Sequence, residues 1–203
     1  MTPGSGRERC CAVVLAAGQG RRFGGEKLLA KFRSAPLLAH PLRILADARA
    51  AGLIQRVLVV IPAGSDQLQE LVRRSGATTV IQPDPSADLR SSLKLGLQAA
   101  QGSASALIVL GDQPLLRKET IAGVMIASAG RPDAIVRARY AANPGDPGHP
   151  VLVPSQWWHL ADTPEGFRDT GDGRPPFDYL PLPGANPDVD TIEDLRALEG
   201  TTH

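Results

Sequence analysis

A chain of 203 residues is long enough to bury a sizeable core in one domain, and nothing in that length demands two. Its 22 basic and 21 acidic residues leave a formal charge of +1, which argues against binding led by a polyanion's phosphate backbone, so nucleic acid is not the expected partner. The two cysteines, Cys10 and Cys11, are adjacent, and neighbours in sequence seldom bridge; a disulfide scaffold and a cysteine-built zinc site are excluded and a reducing, cytoplasmic setting fits.

The polar opening MTPGSGRER runs into an apolar stretch too short for a secretory signal or a membrane span, so an untargeted protein with no membrane segment is expected. Short β-rich runs at 11–17, 56–61, 77–81, 106–110 and 134–138 then alternate with amphipathic, Ala- and Leu-rich segments at 36–51, 65–75, 90–100, 117–129 and 191–199. That alternation predicts an α/β fold, a mostly parallel Rossmann-like sheet with helices on both faces. From Ala141 to Pro187 the rhythm breaks under a dense set of prolines and glycines, and a loop-rich region without long regular elements is expected there.

The first strand ends in VVLAAGQGRRFGGEKLL, residues 13–29. Gly18 and Gly20 let backbone N–H groups turn towards a phosphate because no Cβ blocks the approach, and an anion is the natural ligand. The loop is not a P-loop: Gly20 to Gly25 has the spacing, but Glu26 intervenes before Lys27 and Leu28 stands where a metal-binding hydroxyl belongs. The dinucleotide fingerprint breaks at Phe23, and the second strand ends in Ile61 and Pro62 without an acidic residue for a ribose.

A triphosphate beside Arg and Lys calls for a divalent cation, and hard cations take oxygen ligands. Asp112, in ALIVLGDQP, falls just past a buried strand at the carboxyl edge where open α/β sheets bind ligands. Asp190, in NPDVDTIEDL, leads into the last helix; Thr191 with Asp194 imitates a capping box, and Asp190 could itself be the N-cap. Ser92 sits at a helix start that could face a base or ribose or simply cap the helix, and His149 lies between Gly148 and Pro150 in a loop of the kind that carries substrate contacts.

The stretch from Leu15 to Lys27 resembles the signature of nucleotidyltransferases with a nucleotide-diphospho-sugar-transferase-like fold. Together with VLGDQP, GHPVL and NPDVDTIEDL, in order from about Cys11 to Leu198, the chain resembles the molybdenum cofactor cytidylyltransferases. The resemblance implies that Leu15, Ala16, Ala17, Gly18 and Gly20 contact the nucleotide, that Arg22 and Lys27 bind phosphates, and that Asp112 and Asp190 hold Mg²⁺. Guanylate-transferring members typically have glycine where this chain has Ala17, so the resemblance leans towards CTP. It departs at Asp88 and Arg90, where relatives usually have Gly and Ser, at the GDGRPPF segment from Gly171, and at Ile192.

The expectation is a single nucleotidyltransferase domain over 1–203, with 11–140 serving the nucleotide and 141–190 the acceptor. A molybdopterin-type phosphate would attack the α-phosphate of CTP and release pyrophosphate, with Arg22, Lys27 and Asp112 as catalytic residues. Ser92 would contact the nucleotide and His149, ahead of Trp157 and Trp158, the acceptor. A molybdoenzyme or its chaperone is the expected recipient of the product. The alternatives are guanylyl transfer, transfer to a sugar or alcohol phosphate, and a non-catalytic cofactor-delivery module.

Overall fold

The computed structural model of the protein describes residues 8–18, 20, 22–146 and 148–200. The expectation for the first few residues of the polar N-terminal segment, and the place of Pro147 in the proline-rich stretch, lie outside those residues. Strand β1 (Glu8–Leu15) precedes a small antiparallel pair, β2 (Lys31–Phe32) and β3 (Ala35–Pro36). Then follow α1 (Ala39–Ala50), β4 (Arg56–Pro62), α2 (Asp66–Arg74), β5 (Thr78–Gln82), α3 (Leu89–Ala99), β6 (Ser103–Leu110), α4 (Lys118–Gly130), β7 (Ile135–Tyr140), β8 (Gly148–Pro154), β9 (Phe177–Leu182) and α5 (Ile192–Gly200). Seven strands form one sheet in the order β5-β4-β1-β6-β8-β7-β9, and only β8 runs antiparallel to its neighbours.

Period-two alternation in β1 explains the layering. Cys10, Ala12 and Val14 face α1, α2 and α4, while Cys11, Val13 and Leu15 face α3 and the 3₁₀ segment Ser155–Asp162. Both cysteines are fully buried, and burial pushes the Cys10 thiol up to about 11, so it serves as a small apolar side chain. A third, smaller core joins Phe23 of the glycine loop to Phe32, Leu37, Val189 and Leu195.

The stretch 141–187 is more regular than its prolines predict. It contributes β8 and β9 to the sheet, and β8 lies between β6 and β7. The prolines are tolerated because Pro154 ends β8, Pro181 lies on the outermost strand β9, and Pro150 sits where the ladder is interrupted. Pairing with β7 passes from Arg137 opposite Val151 to Ala138 opposite Gly148, so His149 and Pro150 bulge out of register. A bulge of this kind re-aims side chains beside ligand sites. Trp157 and Trp158 are both half-buried, donating their indole N–H groups to the Asp133 and Val153 carbonyls, and both pack on the second core.

Gly96 is where α3 comes closest to the sheet: a Cβ there would collide with a γ-methyl of the fully buried Val13 and press on Val60. Gly96→Ala is expected to lower stability, since overpacking costs roughly 1–3 kcal/mol and outweighs the helix-propensity gain of about 1 kcal/mol. Urea unfolding should show a lower midpoint with an unchanged m-value.

Candidate active site

The carboxyl ends of β1 and β6 lie side by side, and the chain after each meets the other. Gly111 donates its N–H to the Leu15 carbonyl at 2.9 Å, and a Cβ on Gly111 would stand 3.1 Å from the Ala16 Cβ and 3.2 Å from the Leu15 oxygen. This close approach brings Asp112 beside the glycine loop. Gly20 has φ +54°, a left-handed conformation that disfavours a side chain, and a Cβ there would sit 3.1 Å from the Cβ of Lys27. The loop therefore folds back on itself and sends Lys27 inward.

Three segments distant in sequence converge on the Lys27 ammonium. It donates to Asp112 Oδ2 at 2.6 Å and to Asp190 Oδ1 at 3.4 Å, while Arg22 Nη2 lies 3.1 Å from Asp190 Oδ2. The Lys27 side chain is only 10% exposed, against 77% for Arg22. Of the two open possibilities for Asp190, helix capping belongs to its neighbour: Asp194 N–H donates to Thr191 Oγ1 at 3.1 Å, and Asp194 Oδ2 accepts from the Thr191 and Asp190 amides. The Asp190 carboxylate is thereby left to Lys27 and Arg22.

A buried clamp, unnoticed in the sequence, fixes the two aspartate segments to each other. Gln113 donates to the Asn186 carbonyl at 3.1 Å and to Asp188 Oδ1 at 2.7 Å, and accepts from the Asn186 amide at 3.0 Å. The Val189 N–H adds a bond to the Asp112 carbonyl. Burial and the charge of Asp112 push the Asp188 carboxyl above the usual carboxylate range. Gln113 and Asn186 stand inside the GDQP and NPDVD motifs, which was the available signal.

Gly18, Gly20, Arg22, Lys27, Asp112 and Asp190 share one cleft of about 550 Å³. Leu15 is buried at the end of β1 and reaches the neighbouring cleft that also holds His149, whereas Ala16 opens on a pocket on the far side of Lys27. Ala17 packs in the second core, and Ser92 is 3% exposed within α3 and is not part of the cleft wall. The helix N-cap is Asp88, whose carboxylate accepts from the Ser91 N–H and hydroxyl at 2.7 Å. Arg90 donates to the carbonyls of Thr163 and Pro164, tying the 163–168 segment across the second cleft. Asp88 and Arg90, where the sequence departs from the resemblance, thus serve a cap and a strap. The expected acceptor residue His149 lines this second cleft beside Arg137, and Leu89 lines both this cleft and the first.

Asp112 and Asp190 supply hard oxygen donors beside a phosphate-compatible loop, the donor chemistry Mg²⁺ takes from a protein when phosphates fill its other positions. No set of three or more His, Cys, Asp or Glu side chains able to enclose a metal exists among the described residues, so a metal here would share its shell with a ligand. None of the described helices is long and apolar enough to cross a membrane.

An open α/β sheet with a glycine loop after β1, and carboxylates at the ends of β6 and before α5, defines the nucleotidyltransferase class of nucleotide-binding domain. Residues 12–171 match the MobA-like NTP transferase domain, and the chain belongs to that family. It is 30% identical over 186 residues to the 2-C-methyl-D-erythritol 4-phosphate cytidylyltransferase of Streptomyces avermitilis, covering 83% of this chain and 74% of that protein. It is 32% identical over 109 residues to a probable molybdenum cofactor guanylyltransferase of Thermococcus kodakarensis, covering 54% and 49%. It is 35% identical over 150 residues, 68% of this chain, to the bifunctional protein GlmU of Dinoroseobacter shibae, and spans only 31% of that protein's length. Among solved structures, Rv0371c of Mycobacterium tuberculosis superposes with TM-score 0.75 at 26% identity over 97% of this chain and all of that one; the same protein is also solved in complex with manganese.

Burial and the charge of Arg137 push the His149 imidazole down to about 4. Because the unfolded imidazole titrates near 6.5, acid protonates the unfolded chain first, so stability is complete above about pH 6.5 and falls as the pH drops towards 4. His149→Gln should flatten the loss of unfolding free energy between about pH 7 and pH 5 by about 1–2 kcal/mol, read by urea denaturation at each pH.

Proposed function

We propose that this protein transfers a nucleotidyl group, CMP from CTP in preference to GMP, to the terminal phosphate of a molybdopterin-type acceptor and releases pyrophosphate. The observation that carries this reading is the convergence of Lys27, Arg22, Asp112 and Asp190 beside Gly18 and Gly20 in a single cleft. Cytidylyl transfer draws support from the Streptomyces relative and from Ala17, and the acceptor from the four ordered motifs and the Thermococcus relative.

A phosphomonoester is largely dianionic at neutral pH, its second pKa being about 6, so the attacking oxygen needs no strong general base. The work left to the protein is alignment and charge. The loop amides around Gly18 and Gly20 receive the triphosphate. Lys27, drawn inward by two carboxylates, stands ready to turn to an α- or β-phosphate oxygen, and Arg22 reaches the pyrophosphate from the exposed side. Asp112 and Asp190 are the residues that would hold Mg²⁺, which when bound polarises the α-phosphate and offsets charge on the leaving pyrophosphate. Asp188 and Gln113 keep the two aspartates at fixed separation. The second cleft, with His149 on its wall and Arg90 strapping its rim, would receive the body of the acceptor, and a molybdoenzyme or its chaperone would collect the product.

Asp112→Asn keeps the shape and removes the charge; it should fold normally and lose on the order of a hundredfold or more in kcat. Near-normal turnover at saturating Mg²⁺ would sink the role given to Asp112. The decisive experiment is mass spectrometry of the pterin product after incubation with CTP, GTP and ATP in competition, with methylerythritol phosphate and sugar phosphates as rival acceptors. A cytidylylated pterin supports the proposal; a guanylylated pterin, or transfer to the sugar or alcohol phosphate alone, replaces it. Binding of CTP without turnover on any acceptor would favour a delivery module.

A further inference from the structure

Beyond the two clefts already described, a third opens on the far side of Arg137. It has a volume of about 630 Å³, and Arg137, Arg139, Arg168 and Tyr179 line it. Strand geometry gathers these residues. Arg137 and Arg139 are two apart on β7 and so share a face, Tyr179 of β9 pairs directly with Arg137, and Arg168 descends from the strapped 163–168 segment. The Arg139 guanidinium carbon lies over the Tyr179 ring, 3.8 Å from its centroid, while its Nε is buried with no hydrogen-bond partner among the described residues. Neither Arg139 nor Arg168 forms an ion pair with a carboxylate among the described residues.

Two aspartates also border this pocket. Asp169 is already occupied, accepting from the Tyr179 hydroxyl at 2.9 Å and from the Gly171 N–H at 3.0 Å. Asp146 is exposed and stands within electrostatic reach of Arg137. Three guanidiniums against these two carboxylates leave the pocket cationic, and a buried N–H donor without a partner carries a desolvation penalty that an anion would remove. A planar guanidinium held over an aromatic ring presents its edge donors in a fixed fork suited to an oxyanion.

The three clefts share walls. Leu89 lines the first and second, and Arg137 and Arg168 line the second and third. Resting on the nucleotidyl-transfer reading above, we infer that the third pocket binds an oxyanionic group of the acceptor other than its attacking phosphate.

The test has two arms. In the first, protein saturated with Mg²⁺ and the inert analogue α,β-methylene-CTP is titrated with inorganic phosphate while the arginine Nε–H signals are followed by NMR. The Arg139 signal should shift in a saturable way, and the exposed variant Arg168→Gln should weaken that binding about tenfold. An Arg139 signal that never moves, or equal binding in the variant, overturns the site. In the second arm, pyrophosphate release is measured with pairs of phosphomonoesters differing only in a remote carboxylate or phosphate. Arg168→Gln should raise KM for the doubly charged member about tenfold and leave its KM for CTP unchanged. If phosphate binds at Arg139 but KM for the two members is equal and unaffected, the pocket serves a free anion and the acceptor assignment is overturned. Absence of pyrophosphate release with every acceptor overturns the nucleotidyl-transfer reading instead, and the first arm still judges the anion site.

Discussion

The ammonium of Lys27 is the point on which the site depends. It is nearly buried, and two carboxylates from segments 85 and 163 residues away supply ion pairing in place of solvating water. The dependence runs both ways. Asp112, Asp188 and Asp190 crowd a small volume, and burial first, then the charges of the other two, push the Asp188 carboxyl upward. Removing one partner from a buried ion pair leaves an uncompensated charge and commonly costs 3 kcal/mol or more. The cluster thus concentrates opposite charges from three distant segments in one cleft.

The apparatus around this cluster is stiff. Phe23 anchors the glycine loop in the same small core as Val189 and Leu195, so the loop and the start of α5 share one apolar footing. The Gln113 clamp adds hydrogen bonds between the strand that ends in Asp112 and the segment that carries Asp190. Preorganisation of this kind matters for a reaction that relies on alignment and charge, since reorienting dipoles during the reaction would consume the stabilisation they provide.

Much of this could be read from the sequence, for identifiable reasons. The βα rhythm and the ends of the parallel strands were legible because buried parallel strands are short continuous apolar runs, and element limits agree to within a few residues. Asp112 and Asp190 stood out as carboxylates at a strand end and before a helix, and Lys27 as the cation that closes the glycine loop. The clamp did not, because its partners lie 73 residues apart and neither periodicity nor local spacing registers such a contact. Strand β8 was hidden by Pro150 and Pro154, whose positions at a ladder interruption and a strand end only the sheet reveals. Phe23 read as a break in a fingerprint, although its role is to pin the loop. The RAR of β7 drew no notice since two arginines in a strand ordinarily face solvent, and only pairing with β9 brings Tyr179 and Arg139 together.

The reversed direction of β8 divides the molecule's adaptability. Its amino end, not its carboxyl end, reaches the ligand-binding edge of the sheet, so the loop that precedes it can be lengthened, shortened or recoded without disturbing β1, β4 or β6. The half of the sheet that holds the glycine loop meets the half built from β7, β8 and β9 at the β6–β8 ladder. A scaffold wired in this way can vary one wall of its clefts while the other is held, with the β6–β8 ladder, Leu89 and Arg137 among the ground the two halves keep in common.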